Sequence, residues 1–204
     1  MKNNLINIFN EIDNCLLNLE KPSKELNVIS ERQDFKEYPF SLLYKLKSTE
    51  QSKVHHPEGN VWIHTMMVLD CAATQKNKSI DKRVFMWAAF LHDIGKPAAT
   101  AIRNGRITSY DHDKIGASTA KEFLTFFKQD EIFIEKVCNY IYFHMHPSFI
   151  LNNRPFADVK KMKKSVDAKE LALLYFCDKS GRLFSDAEKE RMLSEKFIEI
   201  ASLL

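Results

Sequence analysis

Histidine, aspartate and lysine side chains that could bind a metal ion and a phosphate lie in the middle of this 204-residue chain. His92 and Asp93 are adjacent in the segment LHDIGKP, which follows an apolar stretch and includes Lys96. A mixed set of imidazole and carboxylate ligands suits Mn, Fe, Co, Ni or Mg, with positions open for water and substrate. A His–Asp pair is also compatible with a helix cap or a loop hydrogen bond, so a metal site requires ligands from other parts of the chain.

Helices are predicted to position these side chains. Asn60 could cap a helix that includes His64, and Asp81 could cap one that ends at the His–Asp pair, where Gly95 supplies a stop signal. The predicted helices cover residues 5–19, 40–46, 61–75, 84–92, 113–128, 130–144, 167–179 and 185–203, and the last begins with a capping box of Ser185 and Glu188.

One β-hairpin is predicted over residues 100–110, because Asn104 and Gly105 form a type I′ turn signal between short β-prone arms. The chain has only 5 glycines, whereas an average usage of about 7% would give roughly 14. This shortage disfavours a turn-rich β architecture. The predicted fold class is therefore all-α, a helical bundle with one short hairpin near 100–110.

Composition indicates an ordinary folded domain. Hydrophobic residues make up 45% of the chain, and 30 Lys and Arg against 27 Asp and Glu leave a net charge of +3, which permits an anionic partner without requiring one. The 4 cysteines are far apart and form no Cys-x-x-Cys pair, so we expect neither a zinc knuckle nor a redox pair, and a reduced, cytoplasmic location. No apolar run suggests a signal peptide or a membrane span.

Five segments, taken in order, carry a resemblance to a known family. HHPEGNVWIHTMMVLD contains His64, FLHDIGKPAAT contains His92 and Asp93, YDHDKIGA contains His112, YFHMHP contains His144, and LYFCDKSGR contains Asp178. Together they resemble the HD-domain metal-dependent phosphohydrolases, and look like the HD domain attached to bacterial CCA-adding enzymes, the tRNA nucleotidyltransferases. The resemblance covers roughly residues 38 to 184.

This resemblance implies an HD-domain helical bundle over residues 38–204, preceded by a helical extension over residues 1–37 with no assigned chemistry. The extension is expected to act as a cover or as an oligomer contact. No segment resembles the nucleotidyltransferase domain, so we expect the hydrolase module and not the end-adding activity.

Roles for individual residues also follow from the resemblance. One divalent ion (Mn, Ni, Co, Mg or Fe) would be bound by His64, His92, Asp93 and Asp178. Two further histidines, His112 and His144, would complete the site of a second ion. Asp93 could bridge the two ions. Lys96 could contact a substrate phosphate as a point charge, or it could be a solvated lysine at the end of a helix. His112 could instead bind substrate, orient water or act as a general acid, with Asp113 orienting its ring.

The resulting hypothesis is a phosphatase or phosphodiesterase that acts on a nucleotide, a 2′,3′-cyclic phosphodiester or another small phosphodiester through metal-activated hydroxide. A di-iron oxygenase that uses all six ligands, or a non-enzymatic nucleotide- or RNA-binding module, is the alternative. The run Lys160–Lys164 could contact RNA, although such runs are usually solvated surface. We assign His55, His56 and His146 to the surface or to the rim of a pocket.

Overall fold

A computed structural model describes residues 2–204 of the chain. The described residues form twelve α-helices and one antiparallel hairpin, which confirms the predicted all-α class. The elements are α1 (Lys2–Asn18), α2 (Pro22–Ile29), α3 (Ser41–Tyr44), α4 (Val61–Gln75), α5 (Lys82–Leu91), α6 (Lys96–Ala99), β1 (Thr100–Arg103), β2 (Arg106–Ser109), α7 (His112–Phe126), α8 (Glu131–Phe143), α9 (His146–Leu151), α10 (Val159–Ser165), α11 (Ala168–Ser180) and α12 (Ala187–Leu203). Short 3₁₀ turns cover Gln33–Lys36, Lys45–Ser48 and Lys76–Lys78.

The two helices that lead into the site begin at the predicted caps. Asn60 accepts a hydrogen bond from the backbone N–H of Ile63 at 3.0 Å, and Asp81 accepts one from Val84 at 3.2 Å. Helix α5 is the central helix of the bundle, and α1, α4, α8 and α11 pack around it. Every residue of α5 from Val84 to Leu91 is buried. The His–Asp pair that follows this helix therefore lies inside the molecule.

The hairpin also forms as predicted. Thr100 pairs with Ser109 and Arg103 pairs with Arg106. Asn104 and Gly105 both have positive φ, 51° and 71°, as a type I′ turn requires at its two central residues.

Several local predictions were incomplete or wrong. Pro22 follows the end of α1 but also starts α2, where proline is favoured because the first helical N–H needs no partner. The cap of α12 is Asp186, whose carboxylate accepts the N–H groups of Glu188 and Lys189, so the predicted capping box at Ser185 is wrong. Ser185 donates instead to the carbonyl of Ser180.

Helix α1 packs on the central helix through aromatic rings. The ring centroid of Phe9 lies 4.7 Å from that of Trp87 and 4.5 Å from that of Phe127. The indole N–H of Trp87 donates to Asp13 at 2.6 Å. The apolar face of α1 thus covers the core of its own chain, and an oligomer contact through the rest of this helix stays a prediction. No helix within residues 2–204 is long and apolar enough to cross a membrane.

Candidate metal centre

Six predicted ligands come together where several helices begin or end. None of the six is more than 8% exposed. His64 lies within α4 and Asp178 within α11. His92 and Asp93 directly follow α5, His112 is the first residue of α7, and His144 directly follows α8.

Asp93 is the centre of this cluster. Its Oδ2 lies 3.1 Å from Nε2 of His92 and 3.8 Å from Nε2 of His64, while its Oδ1 lies 3.5 Å from Nε2 of His112. Nε2 of His112 is in turn 3.1 Å from Nε2 of His144. The ligand atoms form two groups of three, His64–His92–Asp93 and Asp93–His112–His144, each within 4.8 Å of one another. The two groups share Asp93, so this carboxylate is placed to bridge two ions.

Asp178 adjoins the first group. Its Oδ1 lies 3.1 Å from Nε2 of His64 and 3.3 Å from the Arg182 guanidinium, and its Oδ2 lies 2.6 Å from Nζ of Lys179. Burial acts to raise the pKa of Asp178, but Lys179, Arg182 and the bond to His64 hold it well below its usual range. Asp178 is therefore a carboxylate at neutral pH.

Backbone carbonyls orient three of the histidine rings. In each ring Nδ1 lies within hydrogen-bond distance of the carbonyl oxygen three residues earlier: Ala89 for His92 at 2.9 Å, Ser109 for His112 at 2.7 Å and Ile141 for His144 at 2.6 Å. Because a carbonyl oxygen can only accept, Nδ1 of each ring carries a proton. In a neutral ring, Nε2 is then a lone pair that points into the cluster.

The orientation of His112 corrects one prediction. Asp113 was expected to orient the ring of His112, but the carbonyl of Ser109 holds it. Neighbouring residues on a helix point in different directions, so the side chain next to a histidine in sequence does not face its ring. Among the described residues, the Asp113 carboxylate makes no hydrogen bond and no ion pair.

The electrostatics of the cluster fit a cation. Burial lowers the pKa of His112, and burial together with the rings of His112 and His92 lowers the pKa of His144 to about 3. Two neutral rings therefore face each other with lone pairs 3.1 Å apart, which is repulsive unless a cation binds them. Burial acts to lower the pKa of His92, but the effect of the Asp93 carboxylate is larger, so the pKa of His92 is raised. Both sides of the cluster thus favour added positive charge, and the nitrogen and carboxylate donors suit a divalent metal.

Three buried or half-buried cations surround the cluster. Nζ of Lys96 lies 2.7 Å from Oδ2 of Asp93 and donates to Gln51 at 2.5 Å. Lys96 is only 7% exposed, so it is not a solvated lysine at a helix end. With Lys179 and Arg182 it lines a cleft of about 470 Å³ over the ligands.

Glu58 is a buried carboxylate behind the cluster. Its Oε1 lies 3.0 Å from Nδ1 of His64, on the far side of the ring from Asp178, and 2.9 Å from Nδ1 of His56. Burial acts to raise the pKa of Glu58, but the nearby His64 ring, its own backbone and the hydrogen bond with His56 lower it to about 2. Burial and the charge of Lys96 lower the pKa of His56 to about 3. Glu58 is thus placed to orient His64, as carboxylates often do for metal-binding histidines.

The sequence-based assignment missed four residues of this site. Gln51 and Glu58 carried no signal by themselves, although Glu58 lies within the segment HHPEGNVWIHTMMVLD. Lys179 and Arg182 lie in LYFCDKSGR, from which only the aspartate was taken. Of the three remaining histidines, His55 and His56 line the cleft. His146 is 3% exposed and lines a different cavity, so its assignment to the surface or a rim was wrong.

A comparison with protein families matches residues 61–183 to the model of the HD domain. The chain belongs to the HD-domain family. HD domains form a superfamily of metal-dependent phosphohydrolases, and the general kind of function follows from this membership. This match confirms the resemblance of the five segments to the HD domain.

Curated proteins that are similar to this chain include multifunctional CCA proteins of several bacteria. That of Pasteurella multocida is 30% identical over 153 residues, which are 70% of this chain and 35% of the relative. That of Haemophilus influenzae is 31% identical over 117 residues, which are 55% of this chain and 27% of the relative. That of Halorhodospira halophila is 32% identical over 105 residues, which are 52% of this chain and 24% of the relative. This chain therefore spans about a quarter to a third of the length of these relatives.

Proposed function

We propose that this protein is a metal-dependent phosphohydrolase that cleaves a nucleotide, a 2′,3′-cyclic phosphodiester or another small phosphodiester. The observation that carries the proposal is the joining of two features in one cleft. A buried set of histidine and aspartate donors is open toward Lys96, Lys179 and Arg182. The donors suit a metal ion, and the three cations suit the negative charge of a phosphate group.

The proposed ligands of the first ion are His64, His92, Asp93 and Asp178. A second ion would be bound by Asp93, His112 and His144. A divalent ion in such a site lowers the pKa of bound water toward neutrality and stabilises negative charge on a phosphoryl oxygen. The role of the protein is to keep the rings in the ligating tautomer, as the three backbone carbonyls do here.

Lys96 and Arg182 are proposed to bind the substrate phosphate. Gln51 and Asp93 hold the ammonium of Lys96 at the floor of the cleft, so little side-chain entropy remains to be lost when a phosphate binds. Arg182 can offer two parallel N–H donors to phosphate oxygens, whereas Lys96 acts as a point charge. Both groups would stabilise charge that increases as the phosphorus–oxygen bond breaks.

His112 has two proposed uses, as a metal ligand and as a contact to substrate. Its Nδ1 proton is bound to the Ser109 carbonyl and its pKa is lowered by burial, so Nε2 is a lone pair at neutral pH. A lone pair can bind a metal or accept a proton. These facts favour a ligand role over that of a general acid, which would need a proton on Nε2.

A di-iron oxygenase is the second candidate, because the two ligand groups that share Asp93 would also hold two irons. The three cations of the cleft favour the hydrolase. The bound metal separates the two: oxygen consumption by protein with two irons supports the oxygenase, whereas turnover without oxygen in Mn, Co, Ni or Mg supports hydrolysis. Contact with RNA through Lys160–Lys164, which lies in and around α10, stays a prediction.

The first test is the variant Asp93→Ala. Metal-stripped protein would be assayed with Mn, Ni, Co or Mg against 2′,3′-cyclic nucleotides and nucleoside monophosphates, and bound metal counted by elemental analysis. Because Asp93 lies in both ligand groups, we expect loss of metal content and of hydrolysis, with an unchanged far-UV circular dichroism spectrum. Glu135→Ala, an exposed carboxylate on α8, is the matched control and should retain both properties. Undiminished turnover by Asp93→Ala would contradict the proposal.

A further inference from the structure

A second cavity, of about 650 Å³, opens beside the metal cleft. The two cavities share Ser109, His112 and Met145 in their walls. His112 therefore stands between them, with its Nε2 toward Asp93. A molecule with its phosphate in the cleft can extend past His112 into the second cavity.

Two buried polar side chains of this cavity have atoms that form no hydrogen bond with the described residues. Asp113 is 6% exposed, and its carboxylate has no hydrogen-bond or ion-pair partner among the described residues. His146 is 3% exposed; its Nε2 accepts the backbone N–H of Asp158 at 3.2 Å. Nδ1 of a neutral ring then carries the proton, and it is buried without a partner in the described part of the chain. The Nδ1 of His146 is a covered atom without a partner, which is costly. The Asp113 oxygens have no partner either but are not among the covered atoms, so in the cavity wall they offer an unused acceptor to a ligand.

Aromatic rings form much of the remaining wall. The ring of Phe149 lies 5.9 Å from that of His146 and 5.6 Å from that of Phe156. Tyr142 lies beside them, with its ring 6.4 Å from that of His146. Phe156 is 68% exposed although it is large and apolar. An exposed aromatic ring at a cavity is available for stacking on a planar ligand.

Charge differs between the two cavities. The cleft has three cations in its walls, Lys96, Lys179 and Arg182, beside the two candidate ligands Asp93 and Asp178, which a bound metal ion would neutralise. The second cavity has three aspartates and one lysine: Asp111, Asp113, Asp158 and Lys114. A phosphate group is therefore attracted to the cleft and repelled by the second cavity, whereas a neutral planar group that donates hydrogen bonds fits the second cavity.

We propose that the second cavity binds the base of a nucleotide whose phosphate lies in the metal cleft. Phe149 and Phe156 would stack on the base, since stacking on aromatic side chains suits any base. Asp113 would accept hydrogen bonds from N–H groups at the base edge. The proposal rests on the proposed phosphohydrolase function and narrows its substrate to nucleotides.

Kinetics with Phe156→Ala and Asp113→Asn test the subsite. For each variant we expect KM for nucleotide substrates to rise about tenfold, from the loss of stacking or of hydrogen bonds. Phosphate release or ring opening from substrates without a base, such as ribose 5-phosphate and glycerol 1,2-cyclic phosphate, should not change. Ile132→Ala removes an equally exposed apolar side chain from α8, outside both cavities, and should leave KM for nucleotides unchanged. Equal KM in wild type and both variants would overturn the subsite.

A binding measurement keeps the failure of the subsite distinct from failure of the enzyme. Calorimetric titration of metal-free protein with guanosine and adenosine should show binding that Phe156→Ala weakens about tenfold. Nucleoside binding that depends on Phe156 supports the subsite even if no phosphate ester is hydrolysed, and in that case the proposed reaction fails. Hydrolysis of nucleotides with no dependence on Phe156 or Asp113 would leave the reaction standing and overturn the subsite.

Discussion

Lys96 is a cation that is almost fully buried, and a buried charge requires close partners. Its ammonium has two, the Asp93 carboxylate at 2.7 Å and the Gln51 amide oxygen at 2.5 Å. The sequence favours a phosphate contact or a solvated helix end for this residue. The structure removes the second possibility, because the ammonium lies in the floor of the cleft.

Replacing Lys96 by alanine is expected to weaken substrate binding more than turnover. Loss of the point charge should raise KM for phosphate esters about tenfold. Metal content should persist, because the variant keeps every proposed metal ligand and removes a cation that competes with the metal for Asp93. Steady-state kinetics and elemental analysis would check both expectations, with Lys196→Ala, an exposed lysine of α12, as control. A variant with wild-type KM would contradict the role of Lys96.

Glu58→Gln is expected to weaken metal binding, although Glu58 is not one of the proposed metal ligands. Glutamine preserves the size of the side chain but removes the negative charge beside Nδ1 of His64. Loss of such a partner typically costs 10- to 100-fold in metal affinity. A competition titration with a metal indicator would measure it, with the exposed Glu50→Gln as control. Equal metal affinity in both variants would show that Glu58 does not position His64.

The same carboxylate predicts a dependence of stability on pH. The pKa of Glu58 is lowered to about 2 from its model-peptide value of 4.5. A lowered pKa in the folded state means that Glu58 stabilises the fold above pH 4.5 and that this contribution is lost as the pH falls toward 2. Metal-free Glu58→Gln should therefore be less stable than wild type at pH 7, and the difference should shrink below pH 4. Denaturant titrations at several pH values would measure the free energy of unfolding, and a difference independent of pH would contradict this prediction.

The sequence indicated which six side chains come together better than it indicated which residues support them. The six candidate ligands were recognisable because each lies in a segment with a familiar pattern, such as FLHDIGKPAAT. Gln51 has no such pattern, and it meets Lys96 across 45 positions of sequence. Such a contact depends on how helices pack, which periodicity does not specify. For His112, local sequence suggested Asp113, whereas the actual partner is a backbone carbonyl that has no side-chain signature.

At the level of elements, the close approach of α6 and α7 decides whether Asp93 and His112 meet. A Cβ atom at Gly95 would lie 2.2 Å from the carbonyl oxygen of His112 and 2.4 Å from the backbone nitrogen of Gly116. These neighbours are backbone atoms, which cannot move aside as a flexible side chain can. Glycine at position 95 therefore allows the turn after α5 to contact the start of α7.

Gly95→Ala is expected to separate these two elements and to damage the second ligand group. Overpacking of this kind typically lowers the free energy of unfolding by about 1–3 kcal/mol. We also expect a lower metal stoichiometry, because Asp93 and His112 would no longer lie 3.5 Å apart. Denaturant titration and elemental analysis would measure both. Gly105→Ala is the control. The φ of 71° at this position is strained for alanine, but no atom lies within 4 Å of where the new Cβ would be. This variant should therefore lose stability and keep its metal.

The long helices were predictable, whereas most of the short ones were not. The helices that became α4 and α5 had a cap residue followed by a long, largely apolar stretch. Helices α6, α9 and α10 have 4, 6 and 7 residues, which is too few for a period of 3.6 to be distinguished. The hairpin is also short, but Asn104-Gly105 carries a specific turn signal.

At the scale of residues 2–204, the first helix and the helices that carry the candidate ligands share one hydrophobic core. A boundary between an extension of residues 1–37 and a domain of residues 38–204 stays a prediction. Phe9 contacts Trp87 and Phe127, so removal of the extension would expose both rings to water. Chain segment 38–204 alone is therefore expected to be poorly stable, even though it contains every proposed ligand.

Phe9→Ala tests this dependence within the full chain. Phe9 is 2% exposed and stacks between two aromatic rings, so its truncation should lower the free energy of unfolding by about 3–5 kcal/mol. Ile6→Ala, on the same helix but 42% exposed, should cost less than about 1 kcal/mol. Because Phe9 touches none of the ligands, folded Phe9→Ala should bind metal as the wild type does below its unfolding transition. Denaturant titration and metal analysis separate the two properties. If Phe9→Ala is as stable as Ile6→Ala, helix α1 is a dispensable cover, and the boundary after residue 37 would mark a domain that folds by itself.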